Sequence, residues 1–544
     1  MLYILFTAIF LIPTFWGIGS ISEKIFRINT SEGISIKILL GIIVLSVIWT
    51  ATAFIFPINI YLEIFALAIG IGSFFYFKNY LELWDFISEN KFLLVPGAVV
   101  ILLAGSFYPF ILDHFGYYVP TIKWIKEIGL VKGISNLDLL LGQMSVWHIL
   151  QAGFSSFTDV FLRLNTVLLI IYLIYILEKK SWLHLVFFLV LFMFSQSPSP
   201  DLPSIVIALI ILNEIISGNK NAGLLFALSV FVFAIKPTMI WVPIFTFLYV
   251  FFILNYHVKA MFWGSIILLL FVIKNIWTFG YPIFPVQFGD LGFSWKPNPE
   301  VLKISSQTAI QKTFDMQYSV SEINRFTPFD FVKNWLTLKG LKSIINTTFI
   351  LSLSVFAVFA IITKNKVYNL LFISILLKSI LVLCFSAQYR FFIDVFFVIA
   401  FVLLFNKINK RVALSVAVPL SILFIGLIAF PNLLRQAIPS FRPGNFMQGY
   451  NIQQIYQPSR FAWGKHQMHQ IGNLKFNVVE NYPYSFDIPL PAISPEFLKE
   501  YSDAKIFPQK IGEGLKDGFV WRKMTAEQQL QLKKILEEIK SHTP

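Results

Sequence analysis

Apolar runs of bilayer-spanning length recur along most of this chain, and a water-soluble core cannot absorb that many of them. A helix that crosses a bilayer needs about 20 mostly apolar residues. Only 13% of the 544 residues are charged, about half of the roughly 25% usual for soluble proteins. The pattern predicts an all-α polytopic membrane protein with about fourteen transmembrane helices. The runs are 2–20, 35–56, 58–77, 92–112, 157–177, 182–195, 201–217, 222–235, 237–254, 259–278, 345–363, 367–386, 388–406 and 411–430. Three of them, 182–195, 201–217 and 222–235, are short and read as tilted, broken or partly re-entrant. The N-terminus lacks a basic leader and a small-residue cleavage site, so 2–20 reads as a retained span.

Charge gives the orientation. With the runs alternating across the membrane, seven short connections on one side hold Lys24, Arg27, Lys78, Lys91, Lys179, Lys180, Lys220, Lys259, Lys364, Lys366, Lys407, Lys410 and Arg411. The short turns opposite hold only Lys236 and Arg390. By the positive-inside rule the first side is cytoplasmic. The net charge of +14 then reads as topology signal and lipid-headgroup contact, not as a nucleic-acid footprint. The single cysteine, Cys384, excludes a disulfide framework and a cysteine metal site. A transmembrane domain over 1–430 is expected, with external loops at 113–156 and 279–344. Beyond it the tail 431–544 gains Asn, Gln, Pro and charge. It reads as a small soluble α+β or irregular domain, closing on an amphipathic run, Thr525–Lys540.

The polar residues of the external side carry the functional reading. Asp113 and His114 end the fourth apolar run. Asp201 follows Ser-Pro-Ser-Pro, Lys236 precedes Pro237, Lys274 lies near the outer end of the tenth run, and Arg390 separates two runs. Charges at membrane depth are expensive and face cavities or one another. Two carboxylates and three cations on one rim suit a phosphate-bearing substrate, with cations on the phosphate and a carboxylate as base. Structural readings stand beside each. Asp113 terminates a helix, Asp201 caps one, Lys236 and Lys274 snorkel, and Arg390 pairs with Asp113 or Asp201. In the first loop, Tyr118, Ile122, Ile125 and Ile128 recur at helical spacing, which predicts an amphipathic interfacial helix over 118–129. A second helix is predicted over Ser145–Gly153. In the tail, His466 and His469 are too few ligands for a zinc site.

The segment from Asp113 through Gly133-Ile-Ser-Asn136 resembles a family of bacterial multi-span proteins found in spirochaetes and Bacteroidota. So do Ser199-Pro-Asp201-Leu-Pro203, Lys274-Asn275, Gly280-Tyr-Pro-Ile-Phe-Pro285, Tyr389-Arg390-Phe391 and Gly518-Phe519. That family is similar in turn to the GT-C glycosyltransferases. The resemblance implies a sugar donor linked to polyprenyl phosphate, a glycan or protein acceptor, and a catalytic carboxylate in the first long external loop, here Asp113 beside His114. Arg390 and Lys236 would hold the donor phosphate. The implied setting is the bacterial inner membrane with a periplasmic tail. Here four apolar runs precede the loop instead of one. His114 stands where a second acidic residue would be, which leaves a divalent cation open as cofactor. The alternatives are a transporter or flippase of lipid-linked saccharides and a non-catalytic scaffold for a periplasmic partner.

Overall fold

The computed structural model describes residues 1–26, 33–437 and 448–541; Arg27 lies outside them. Four long or medium helices come first: α1 (Leu2–Phe26), α2 (Ile34–Ala53), α3 (Ile60–Tyr76) and α4 (Asn79–Gly105). Close helix packing in lipid relies on small residues that let backbones approach, and α1 uses this twice. A Cβ on Gly41 would stand 1.8 Å from the Phe15 carbonyl, and one on Gly17 would stand 1.9 Å from that of Gly70. Asn59 caps α3 by accepting from Tyr61 N and Leu62 N.

Short elements build the first loop. One π-helical turn, His114–Tyr118, runs into α5 (Val119–Glu127), and α6 (Val146–Ala152) follows. Pro120 sits in the first turn of α5, where its missing N–H costs nothing. Both predicted loop helices therefore exist. Neither lies open on a surface: Ile122, Trp124 and Ile125 are buried, and so is every residue of α6.

The central bundle comprises α7 (Leu164–Lys179), a broken helical stretch at 182–194 that includes α8 (Phe188–Leu191), α9 (Asp201–Ile216), α10 (Ala222–Ile235), α11 (Trp241–Phe252) and α12 (Phe262–Phe279). The second loop folds as α13 (Pro299–Thr313), α14 (Val320–Ile323) and α15 (Pro328–Leu336). Then come α16 (Leu341–Thr363), α17 (Lys366–Phe385), α18 (Ile393–Leu404), α19 (Lys410–Ala429) and the short α20 (Pro431–Ala437). Among the described residues, seven helices are long and apolar enough to cross a membrane. Their outer faces carry exposed apolar side chains, such as Phe92 at 83%, Ile362 at 72% and Ile422 at 67%. Apolar exposure on that scale suits lipid, not water, so the chain is a helical membrane protein.

Two predicted runs are displaced. The fourth helix is Asn79–Gly105, not 92–112, so Asp113 does not end it. The chain turns irregular at Ser106, and Asp113 leads into the next helix. The run 157–177 becomes helical only at Leu164. Arg163 is 2% exposed and donates to the carbonyls of Gly105, Phe107, Phe161 and Ser459. Asp159 accepts from Arg163 N at 2.7 Å. That buried polar cluster holds 159–163 out of the helix.

The tail is α+β. Antiparallel pairs β1 (His466–Ile471) with β2 (Leu474–Val479), and β3 (Ile506–Lys510) with β4 (Phe519–Lys523), flank α21 (Pro495–Asp503) and α22 (Ala526–Ser541). His466 and His469 stand three apart in β1, and that odd spacing sends their side chains to opposite faces. The tail packs on the first loop. Phe519 N donates to Lys132 O at 2.9 Å and Phe486 N to Phe115 O at 3.1 Å. Lys123 Nζ reaches the carbonyls of Asp487 and Ile488, and Phe115 belongs to the apolar cluster formed with Val479, Phe486 and Ile488.

Candidate functional site

The site is built where helices break. Pro237 lacks an N–H, so α10 stops at Ile235 and Lys236 adopts an extended backbone before a single 3₁₀ turn. In α9, Asp201 is the first helical residue. Its carboxylate accepts from Ser199 Oγ at 3.0 Å and is ion-paired with Lys236 Nζ. Asn165 Nδ2 fixes the Ser199 carbonyl at 2.9 Å. Between α17 and α18 the strand-like residues 386–388 are held by the second loop. Ser386 Oγ donates to Ala309 O, Ala387 N to Thr313 Oγ1, and Trp335 Nε1 to Ala387 O. That clamp sets the turn Tyr389–Phe391, from which Arg390 projects.

Arg390 Nη2 donates to Asp113 Oδ2 at 2.8 Å, and Lys236 Nζ donates to the Arg390 carbonyl at 3.3 Å. Asp113, Asp201, Lys236 and Arg390 therefore form one connected group of two ion pairs. The pairs differ in access. The Arg390 and Asp113 side chains are 41% and 29% exposed, against 13% and 10% for Lys236 and Asp201. The outer pair is open to a ligand, and the inner pair supports it from behind. Tyr118 links the loop to the group, its hydroxyl 3.5 Å from Ser199 Oγ. Burial, and then the Asp113 charge, push the Tyr117 phenol well above its ordinary range, so Tyr117 stays a neutral donor.

The other two candidates lie apart from these pairs. His114 is buried with Nδ1 unpartnered and lines a crevice with Arg163, Arg460 and Phe486. Burial, reinforced by Arg163, holds its imidazole well below the ordinary range, which keeps it neutral. Lys274 is fully buried and bonds the carbonyls of Gln143 and Met144 at 3.1 and 2.8 Å. It neither snorkels nor faces Asp113; it ties α12 to the first loop.

A further ion pair escaped the sequence reading. Lys378 of α17 donates to Asp394 of α18, and Trp241 Nε1 donates to the same carboxylate at 2.7 Å. Both charged side chains are buried, at 0% and 6%. The signal was present as two opposite charges, each inside an apolar run, in adjacent spans. Among the described residues no cluster of three or more His, Cys, Asp or Glu is placed to hold a metal ion.

Comparison with curated proteins and with solved structures finds no match to this chain. A family model described as a domain of unknown function, DUF8201, matches residues 1–397. The match spans every residue of both ion pairs and stops within α18, ahead of the tail. It covers well over half of the sequence, and the chain belongs to that family.

Proposed function

We propose that this chain is an integral membrane glycosyltransferase of the GT-C kind, taking its sugar from a polyprenyl-phosphate donor for cell-surface glycan or glycoconjugate assembly. The observation that carries this reading is the partly exposed Arg390–Asp113 pair at the helix breaks, backed by Lys236–Asp201. A paired carboxylate is a poor base, and the pairing itself supplies the remedy. Arginine binds phosphate in a bidentate fork, so a donor phosphate competes with Asp113 for Arg390 and frees the carboxylate when the donor is seated. The acceptor hydroxyl then attacks the anomeric carbon and gives its proton to Asp113. The bond from that carbon to the phosphate oxygen breaks, and its electron pair leaves on the phosphate beside Arg390 and Lys236. The full reading has about fourteen spans, the inner membrane as location and the tail on the periplasmic side. Incubating the purified chain with polyprenyl-phosphate hexoses and assaying release of polyprenyl phosphate tests it.

A second reading, a transporter of lipid-linked saccharides, is favoured by one observation. Discontinuous helices beside buried charges mark transporter binding sites, and here the 182–194 stretch is broken while Lys378–Asp394 is buried within the bundle. Turnover in detergent without a gradient supports the enzyme; vectorial movement without turnover supports the transporter.

A further inference from the structure

Helices α9 and α18 both begin at the ion-paired group and run away from it. At their far ends, about 24 Å along α9 at 1.5 Å per residue, a second polar site opens. It is a cavity of about 490 Å³ between the ends of α7, α9 and α18 and the turn 218–220 that follows α9. Its volume lies within the roughly 300–1,000 Å³ of ligand sites. Lys179, Lys180 and Lys220 line it, with Glu214 as the only carboxylate of the lining.

Glu214 is already satisfied. It is paired with Lys179 at 3.1 Å and accepts from Tyr175 Oη at 2.9 Å and Asn219 Nδ2 at 2.8 Å. Among the described residues Lys180 and Lys220 have no carboxylate partner. Three helix C-termini face the cavity, each worth about half a negative charge. The three lysines, less the Glu214 charge, outweigh these dipoles and leave the cavity about half a unit positive. Ser217 and Asn406 add a hydroxyl and an amide to the wall. Cavity, excess cation and neutral donors together are what a phosphate group needs. Basic pockets between helix ends at a membrane surface bind anionic headgroups.

We propose that this cavity binds a phosphate-bearing anion, held by Lys180 and Lys220, at the opposite end of the bundle from Asp113. The chemistry is shared by an anionic lipid headgroup and by soluble phosphate, and the test separates them. The full chain in neutral detergent is titrated calorimetrically with dihexanoyl-phosphatidylglycerol, dihexanoyl-phosphatidylcholine and inorganic phosphate. The variant is Lys180→Asn with Lys220→Gln; asparagine is chosen because Lys180 has φ 52°, a conformation asparagine tolerates. The matched control is Lys364→Asn with Lys366→Gln. Lys364 has φ 51°, and both control lysines are exposed.

Each lysine near an anionic headgroup is worth about fivefold in affinity, so the pocket variant should bind roughly 30-fold more weakly while the control binds as the parent does. Loss of phosphatidylglycerol binding alone assigns the site to a lipid headgroup; loss of inorganic phosphate binding assigns it to a soluble ligand. The proposal is overturned if no phosphate-bearing probe binds. It is equally overturned if the pocket variant binds like the parent, or if the control loses as much as the pocket variant. None of these outcomes depends on glycosyl transfer.

Discussion

Arg390 reaches Asp113 across 277 residues of sequence and donates to its carboxylate at 2.8 Å. This contact is what joins the first loop to the α17–α18 turn at the charged face. With both side chains partly exposed, such a pair is worth only about 0–1 kcal/mol of stability. Arg390→Gln should therefore melt close to the parent while turnover with a polyprenyl-phosphate hexose falls by about 10²–10³-fold, the usual loss for one charge-stabilising donor. A large fall in melting temperature would make the pair a structural clamp.

The Lys378–Asp394 pair should behave in the opposite way. Removing one partner of a buried pair costs about 3–5 kcal/mol, because the other charge is left uncompensated. Lys378→Met should lower the melting temperature in detergent markedly, and Lys378→Met with Asp394→Asn should recover part of the loss while keeping an acceptor for Trp241. Additive destabilisation in the double variant would contradict this coupling.

Docking of the tail depends on two glycines. Gly518 has φ 105° and Gly133 φ 58°. A Cβ on the first would stand 2.4 Å from Lys132 O, and one on the second 2.4 Å from Phe519 O. Asn136 Nδ2 sits in the same joint, donating to Trp295 O at 2.7 Å. Gly518→Ala should loosen the tail from the loop, seen as faster amide exchange in 515–523 and in 130–136 with the bundle unchanged. Unchanged exchange at the joint would show that it absorbs the methyl group.

The same joint should sense pH. Asp138 is 2% exposed; burial raises its carboxyl from 3.8 to about 8, and Glu500 and Glu496 add to the shift. Burial, with Glu496 beside it, raises Glu500 to about 7. Folded-state values above unfolded ones mean that the folded chain holds these protons more tightly. The stability these two groups contribute is fully present below about pH 4 and is lost as pH rises through about 7 and 8. Asp138→Asn keeps the acceptor for Leu140 N and should flatten that decline. Identical melting profiles for parent and variant between pH 5 and 8 would rule out Asp138 as a source.

Helical architecture and the break residues were readable because apolar length and proline act locally. Lys236 before Pro237 and Arg390 between two runs announced themselves in this way. The choice of partner did not: Arg390 was open to pairing with Asp113 or Asp201, and nothing in the spacing selects the Asp113 that it meets. Lys274 misled for a physical reason. A lysine at a helix end normally snorkels, but here the first loop brings two backbone carbonyls to it. Asp113 was displaced from a helix end because Arg163 takes the backbone carbonyls of Gly105 and Phe107 and the tail residues Gln454 and Ser459 take that of Ser106, which lets the chain leave the helix early.

On the proposed function, Asp113 is the base freed by donor phosphate. The most direct test of this is polyprenyl phosphate release by Asp113→Asn beside the parent chain in the same detergent and donor. The expected result is an unchanged melting temperature and a rate lower by about 10²–10⁴-fold. Parent-level release by Asp113→Asn would contradict it.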